Sequence, residues 1–255
     1  MEITVVGSGT VVPHPERVCA CYHVRVRELR ILFDSGPGAL HHLARFRLGW
    51  QAITHVALTH FHTDHIGDLP ILLFALKHGL AQPRSAPLSL IGPTGIAEFL
   101  RKLKESFGDY MLDPGFPVHV RELADGGELR LDDVVWLRAC ATPHTEASTA
   151  YRLDTPEGSL GYTGDTDFDE KLGKFLAAVD VLIAECSLPD DQAIKGHLTP
   201  TRAAALACLA RPGQLVLTHV YPQLEGRDLA ALVRLAGWDG PVDVARDGMR
   251  VAVRG

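Results

Sequence analysis

The sequence of 255 residues lacks the features that would place a protein in a membrane or outside the cell. No run approaches the roughly 18 consecutive apolar residues that a membrane-spanning helix needs. The first residues, MEITVVGSGT, do not have the basic and long apolar segments of a secretory signal, and they already have the pattern of a strand. The five cysteines form no CxxC pair and are odd in number, which indicates reduced thiols in a cytoplasmic protein.

Basic residues are fewer than acidic ones, which limits the partners of the chain. There are 25 Lys and Arg against 31 Asp and Glu, a formal net charge of −6. The chain as a whole therefore does not attract nucleic acid, although a local basic patch is compatible with this total. Linkers rich in Ser or Gly, charge blocks and short repeats are also missing, so residues 1–255 are expected to form a single domain.

Strand-like and helix-like segments occur in both halves of the chain. Each half combines a strand-rich stretch with segments of helical periodicity, and hairpin turns are predicted at Gly126-Gly127 and Glu157-Gly158. The last strand is predicted over residues 250–254. This pattern indicates an α/β fold in four layers, with two sheets packed face to face and helices outside.

Thirteen histidines are many for this length, and their placement is informative. The segment LTHFHTDHIG, residues 58–67, follows the apolar run ITHVAL and carries four ligand-type side chains. Other polar residues also follow predicted strands, where one edge of a sheet displays reactive groups. Such a set of histidines and carboxylates suits two borderline-soft divalent ions such as Zn²⁺. The seven ligand candidates are His60, His62, Asp64, His65, His144, Asp165 and His219, and Glu185 is a further polar residue at a strand end.

The spacing HxHxDH supports a pair of ions rather than a polar loop of unrelated histidines. Its first and third positions can converge on one ion, while the Asp and the last His point to a second ion about 3.5–4 Å away. A carboxylate would bridge the two ions. We interpret the remaining histidines in strand-like or helix-like segments as structural: His23, His41, His42, His78 and His119.

Taken together, the motifs resemble those of the metallo-β-lactamase superfamily, and more narrowly its ribonuclease Z-like branch. The match extends over nearly the whole chain, in order: GSGT, LFDSGPG, ITHVALTHFHTDHIGDLPILL, IGPTGIAEFL, PHT, YRL, YTGDT, VDVLIAEC, GHLTP and LVLTHV. The resemblance implies an αβ/βα sandwich, which agrees with the four layers expected from the pattern alone.

The resemblance also implies a role for each ligand. It assigns His60, His62 and His144 to one ion, assigns Asp64, His65 and His219 to the other, and makes Asp165 the bridge. The ions would be zinc, with manganese as the alternative, and a water activated between them would attack a phosphodiester.

Two further residues distinguish the ribonuclease Z-like branch. Glu185 beside His197 would hold that imidazole protonated, ready to donate a proton to a leaving alkoxide. The catalytic candidates are therefore Glu185 and His197, together with Asp64, which is also a ligand. The alternative for His197 is that it caps the helix beginning near Thr199.

Five other residues near these motifs receive weaker assignments. His55 is expected to pack or hydrogen-bond beneath the metal-binding turn, and Asp34 is expected to support a ligand histidine through its second nitrogen. Gly7 and Gly9 are interpreted as turn glycines, because no helix follows to complete a phosphate loop. Whether Tyr221 lines the pocket stays open.

Three functions are compatible with these residues. The first is a phosphodiesterase acting on nucleic acid or a smaller phosphodiester, and the second is a hydrolase of a thioester, lactone or β-lactam. The third, an inert metal-binding module, is disfavoured by the complete ligand set. Only residues 145–164 separate His144 from Asp165, so the long tRNA-binding arm of ribonuclease Z has no place here. Whether the chain forms a homodimer stays open.

Overall fold

Two seven-stranded sheets form the centre of the protein in a computed structural model that describes residues 1–253. The strands are β1 (Glu2–Gly7), β2 (Cys21–Val26), β3 (Leu29–Phe33), β4 (His55–Ala57), β5 (Leu88–Gly92), β6 (Val118–Glu122), β7 (Glu128–Arg130), β8 (Trp136–Ala141), β9 (Thr149–Thr155), β10 (Gly158–Tyr162), β11 (Val181–Glu185), β12 (Gln214–Thr218), β13 (Val242–Val244) and β14 (Arg250–Ala252). The helices are α1 (Ala39–Arg45), α2 (Thr63–Ile66), α3 (Leu69–His78), α4 (Ile96–Phe107), α5 (Glu170–Phe175), α6 (Pro200–Ala210) and α7 (Leu229–Leu235). None of the helices within residues 1–253 has the length and apolarity that crossing a bilayer requires.

The strand order divides the chain between the two sheets. The first sheet has the order β14-β1-β2-β3-β4-β5-β6, and the second has the order β13-β12-β11-β10-β9-β8-β7. In the first sheet β3 to β6 are parallel, and in the second β10 to β13 are parallel. Because parallel strands end at the same edge of a sheet, the loops that follow them are brought together.

Apolar side chains fill the space between the sheets and under the helices. Between the sheets, Phe33, Tyr151 and Tyr162 pack ring against ring. Helices α1, α3 and α4 cover the outer face of the first sheet, and α5, α6 and α7 cover that of the second. The predicted four-layer α/β sandwich is therefore confirmed. That residues 1–255 form a single domain stays a prediction, which the shared core supports.

The hairpin turn predicted at Gly126-Gly127 is wrong. Strands β6 and β7, which flank it, belong to different sheets. The backbone N–H of Gly126 donates to Ala139 O (3.0 Å) and Gly127 O accepts from Ala139 N–H (3.0 Å), so this turn already pairs with the second sheet. The hairpin turn of β7 and β8 lies after Leu131, where Asp132 Oδ1 accepts from the N–H groups of the residues at 134 and 135.

Three other details complete the comparison with the expected elements. The turn predicted at Glu157-Gly158 does join β9 and β10, and Gly158 pairs with Thr155 across it. The one-turn helix α2 within the HxHxDH segment was not predicted. The last strand ends at Ala252, and residue 254 of the predicted strand lies outside the described residues.

Candidate metal centre

The seven ligand candidates meet at one edge of the two sheets. His60 follows β4, Asp165 follows β10 and His219 follows β12 directly, and His144 follows β8. His219 has φ 55°, in the left-handed region that few non-glycine residues adopt. Such a backbone conformation costs free energy and persists mainly where the surrounding structure fixes it, often at functional sites.

The first group of donor atoms comes from three histidines and one carboxylate. Donor atoms of His60, His62, His144 and Asp165 all lie within 4.8 Å of one another. His144 Nε2 is 3.1 Å from His62 Nδ1, and Asp165 Oδ2 is 3.8 Å from both His60 Nε2 and His144 Nε2. This set can hold one divalent ion.

The second group is adjacent and shares Asp165 with the first. Asp64, His65 and His219 also have donor atoms within 4.8 Å of one another. The other carboxylate oxygen of Asp165, Oδ1, lies 3.3 Å from His65 Nε2 and 3.7 Å from His219 Nε2. Asp165 therefore faces one group with each oxygen, which is the position of a bridging carboxylate.

The hydrogen bonds of four of the five candidate ligand histidines leave their Nε2 atoms available as ligands. In each of them Nδ1–H donates to an oxygen atom. His60 donates to Thr59 Oγ1 (3.1 Å) and His65 donates to Asp34 Oδ2 (2.7 Å). His144 donates to Gly196 O (2.9 Å) and His219 donates to Ser187 Oγ (3.0 Å). A neutral imidazole with its proton on Nδ1 carries its lone pair on Nε2. A partner on the second nitrogen that fixes this tautomer is typical of metal-ligating histidines.

Buried nitrogen atoms without partners test whether a cation fits this site. Nε2 of His60 and Nε2 of His65 are both buried, and neither has a hydrogen-bond partner. A buried polar atom without a partner is costly. Burial, then the neighbouring His65, lowers the pKa of His60 to about 2, so its lone pair is free near neutral pH. The donor set therefore fits divalent metal ions.

The two carboxylates of the second group remain charged at neutral pH. Burial raises the pKa of Asp64, but the hydrogen bond with His219 and the nearby His65 outweigh it and lower that pKa to about 2. The pKa of Asp165 is likewise held well below its usual range, because His219 and His65 outweigh the effect of burial. Both side chains are therefore anionic.

Asp34 supports the centre from beneath, as expected from the sequence. Fully buried after β3, it accepts hydrogen bonds from Nδ1 of His65, from Thr59 N–H (2.7 Å) and from the Tyr162 hydroxyl (2.7 Å). One carboxylate thus fixes a ligand histidine, the residue before His60 and a tyrosine of the central core.

Replacing Asp34 by alanine should damage both the fold and the metal site. Four buried donors, including the Thr59 hydroxyl, would lose their acceptor, so we expect the free energy of unfolding to fall by roughly 3 kcal/mol or more. The freed His65 ring should weaken metal binding by about 10–100-fold. Urea unfolding and metal competition assays measure the two effects, with Asp133→Ala, at a side chain 90% exposed, as the control. If Asp34→Ala behaves like this control in both assays, the supporting role is wrong.

Glu185 and His197 form a pair beside the ligands. Nδ1 of His197 lies 3.1 Å from Glu185 Oε2 and 4.0 Å from Asp165 Oδ2, and Glu185 is buried. Burial opposes a charge on His197, but the hydrogen bond and the charge of Glu185 outweigh it and raise the pKa of His197. The helix-capping alternative is wrong, because the Thr199 side chain caps α6 by accepting from Arg202 N–H.

Besides Asp34, Tyr221 is the residue with a weaker assignment that lies beside the candidate ligands. Its ring centroid is 5.6 Å from that of His219 and 6.3 Å from that of His197. His55 instead hydrogen-bonds to the neighbouring Thr54 side chain (2.8 Å). The backbone of Cys19 passes close to Gly7, since a Cβ at Gly7 would be 1.9 Å from the carbonyl oxygen of Cys19.

Three residues that fix the ligands were missed in the sequence. Thr59 and Gly196 accept hydrogen bonds from ligand histidines, and Ser187 connects His219 to Glu185 by donating to the Glu185 carboxylate. Each of them is next to, or two positions from, a residue of the motifs. That proximity was the only signal, and short polar residues are too common in loops for it to be specific.

Comparisons with known proteins agree with this geometry. A family model described as "Beta-lactamase superfamily domain" matches residues 29–220. The ribonuclease Z of Mycobacterium bovis is 30% identical over 284 residues, with 99% of this chain and 98% of the relative covered. The ribonuclease Z of Halobacterium salinarum is 26% identical, with 98% and 96% covered.

Solved structures share the fold along the whole chain. The short form of human tRNase Z has a TM-score of 0.81 and 25% identity, with 100% of both chains covered. The metallo-beta-lactamase fold protein YhfI from Bacillus subtilis has a TM-score of 0.84 and 24% identity, with 98% of both chains covered, which is a likeness of fold.

Proposed function

Because the chain belongs to the metallo-β-lactamase superfamily and, within it, to the ribonuclease Z-like branch, we propose that it is a metal-dependent phosphodiesterase. The observation that carries the proposal is the position of His197. Its ring centroid lies 4.9 Å from that of His144 and 6.0 Å from that of His219, so a proton donor stands beside the ligands. The alkoxide that leaves a phosphodiester needs such a donor more than a thiolate does.

The ligand groups define where the metals would bind. His60, His62 and His144 would hold one divalent ion, Asp64, His65 and His219 would hold the other, and Asp165 would contact both. Zinc suits a set dominated by imidazole, with manganese as the alternative. Bound there, the ions would activate a water molecule and offset the negative charge that grows on the phosphate during attack.

The protein's own residues would supply orientation and the proton. Glu185 holds Nδ1 of His197, which leaves the other ring nitrogen to donate a proton to the leaving oxygen. Asp64 would have a second role beside ligation, because Oδ2 faces His219 (3.4 Å) and Oδ1 is left to accept a hydrogen bond from a water molecule. Asp165 orients His65 and His219 by facing both.

The short connection between β9 and β10 favours the proposal of a small substrate. Strands β9 and β10 use residues 149–162 and are joined by a tight turn, so no arm extends between His144 and Asp165. The alignment with the M. bovis relative is longer than this chain, which shows that the relative carries residues that are missing here. We therefore propose a small phosphodiester, or a short stretch of nucleic acid, as the substrate.

This proposal predicts a difference between two substrates. The metal-loaded protein should hydrolyse bis(p-nitrophenyl) phosphate but should process a precursor tRNA poorly or not at all at physiological salt, because it has neither the arm nor a net positive field. Specific activities on both substrates are compared with one preparation, and a thioester, a lactone and a β-lactam serve as controls for reaction class.

Two results would contradict the proposal in different ways. Efficient, site-specific cleavage of precursor tRNA beside its acceptor stem would show that another surface or a partner subunit replaces the arm. Failure on every phosphodiester, together with turnover of a thioester, lactone or β-lactam, would assign the protein to another reaction class.

We also propose a cytoplasmic location. All five cysteines are free in the structure, and Cys21, Cys140 and Cys186 are buried as thiols. Unpaired thiols are typical of proteins in a reducing compartment.

A further inference from the structure

A basic cavity lies at the end of the first sheet opposite the metal centre. Its volume is about 420 Å³, and four arginines, one histidine and one glutamate line it: Arg25, Arg30, Arg47, Arg250, His23 and Glu2. Strand β1 begins in this cavity and leads to Ser8, whose carbonyl oxygen accepts from His219 N–H at the other end. The cavity is therefore separated from the metal centre by the length of the sheet.

Cross-strand register explains how residues distant in the sequence meet there. Thr4 pairs with both His23 and Arg250, and Arg25 pairs with both Glu2 and Arg30. The residues that alternate with them, such as Ile3, Val24 and Ile31, point into the core between the sheets. Because side chains alternate along a strand, Arg25, Arg30, Arg250 and His23 lie on the outer face. Arg47 reaches the same cavity from the loop after α1.

A single carboxylate, that of Glu2, faces the four arginines of the cavity. Glu2 pairs with Arg25, whereas the Arg30 guanidinium donates only to carbonyl oxygens. Arg47 and Arg250 are exposed and form no ion pair within residues 1–253. Arg25 lies between Glu2 on one neighbouring strand and Arg30 on the other, so this one carboxylate leaves the cavity with a net positive charge.

His23 is an independent indication of a ligand. Its side chain is only 4% exposed, and its buried Nε2 atom has no hydrogen-bond partner. Burial, then the charges of Arg30 and Arg25, lowers the pKa of His23 to about 4, so the ring is neutral near pH 7. A neutral imidazole can donate one hydrogen bond to an anion without adding charge.

We propose that this cavity binds a phosphate group, either as free inorganic phosphate or carried by a small organic molecule. Guanidinium groups match phosphate oxygens with paired hydrogen bonds, which favours phosphate over a simple halide. The cavity volume is within the range of small-molecule sites. The site is separate from the proposed active site, and its test does not depend on hydrolysis.

Histidine ring signals in NMR spectra provide the readout. The metal-loaded protein, labelled at histidine, is titrated with inorganic phosphate, pyrophosphate and adenosine monophosphate, and the His23 signals are assigned by their loss in His23→Gln. The His23 signals should shift and saturate with at least one of these probes. A response to phosphate or pyrophosphate indicates the free anion, and a response to the nucleotide alone indicates a phosphate on an organic carrier.

Two double variants with the same change of charge test the assignment to this cavity. Arg47→Gln with Arg250→Gln should weaken the binding seen at His23 by about tenfold or more, since two charge-assisted contacts are lost. Arg121→Gln with Arg234→Gln, at exposed positions outside the cavity, should leave it unchanged. Phosphate binding at the metal centre should be the same in the two double variants. The NMR signals of the candidate ligand histidines report that binding separately.

Three results would overturn the proposal: no shift of His23 with any of these probes, equal affinity in the two double variants, or a shift of His23 with single-stranded RNA alone. The last would assign this surface to nucleic acid instead.

Discussion

Replacing His197 by alanine is expected to lower phosphodiester turnover by about 10²–10⁴-fold, the range that removal of a general acid produces. Both metal ions should stay bound, because the seven proposed ligands remain. The loss should be larger for a substrate with a poor leaving group, since that oxygen depends most on a donated proton.

Metal content, circular dichroism and turnover of two phosphodiesters with different leaving groups test this expectation. His119→Ala, on the exposed edge strand β6, removes an imidazole outside the site and should keep full activity. Full activity of His197→Ala on the substrate with the poor leaving group would show that His197 is not the proton donor.

Replacing Asp165 by alanine is expected to remove metal rather than only a step of catalysis. Its two oxygens lie 3.3–3.8 Å from the Nε2 atoms of His65, His60, His144 and His219, so both ligand groups would lose an anionic member. Activity should fall to the background rate along with the metal content.

Metal analysis after gel filtration compares Asp165→Ala with Asp133→Ala, an aspartate whose side chain is 90% exposed. Circular dichroism shows whether the variant keeps the fold. If folded Asp165→Ala still holds two ions per chain, Asp165 is not the bridging ligand.

The candidate ligands could be found in the sequence because each lies in a short, local pattern. A strand followed by His60, Asp165 or His219 is visible in consecutive letters, and parallel strands must end at a common edge. The same holds for the outer helices, whose apolar periodicity is local. The αβ/βα arrangement follows from these elements together with the resemblance to a known family.

Features that depend on contacts between distant segments could not be found in this way. The pair Gly126-Gly127 has the composition of a hairpin turn, but its partners are the backbone groups of Ala139, in another strand. The arginine cavity requires Arg250 of β14 to lie beside Thr4 of β1, a register that no local pattern determines.

The hydrogen bonds on the second nitrogen of four candidate ligand histidines were also hidden. Ser187 and Thr59 are ordinary loop residues until the structure shows that they bond to His219 and His60. Only Asp34 was expected in this role, because it follows a strand that leads to the site.

The central claim, a centre for two metal ions, is tested most directly by the metal content of the purified, unchelated protein. Elemental analysis is made before and after reloading with Zn²⁺ or Mn²⁺. Because two donor groups lie on either side of Asp165, the metal content should approach two equivalents per chain. A value that stays near zero after reloading with either metal would contradict the account.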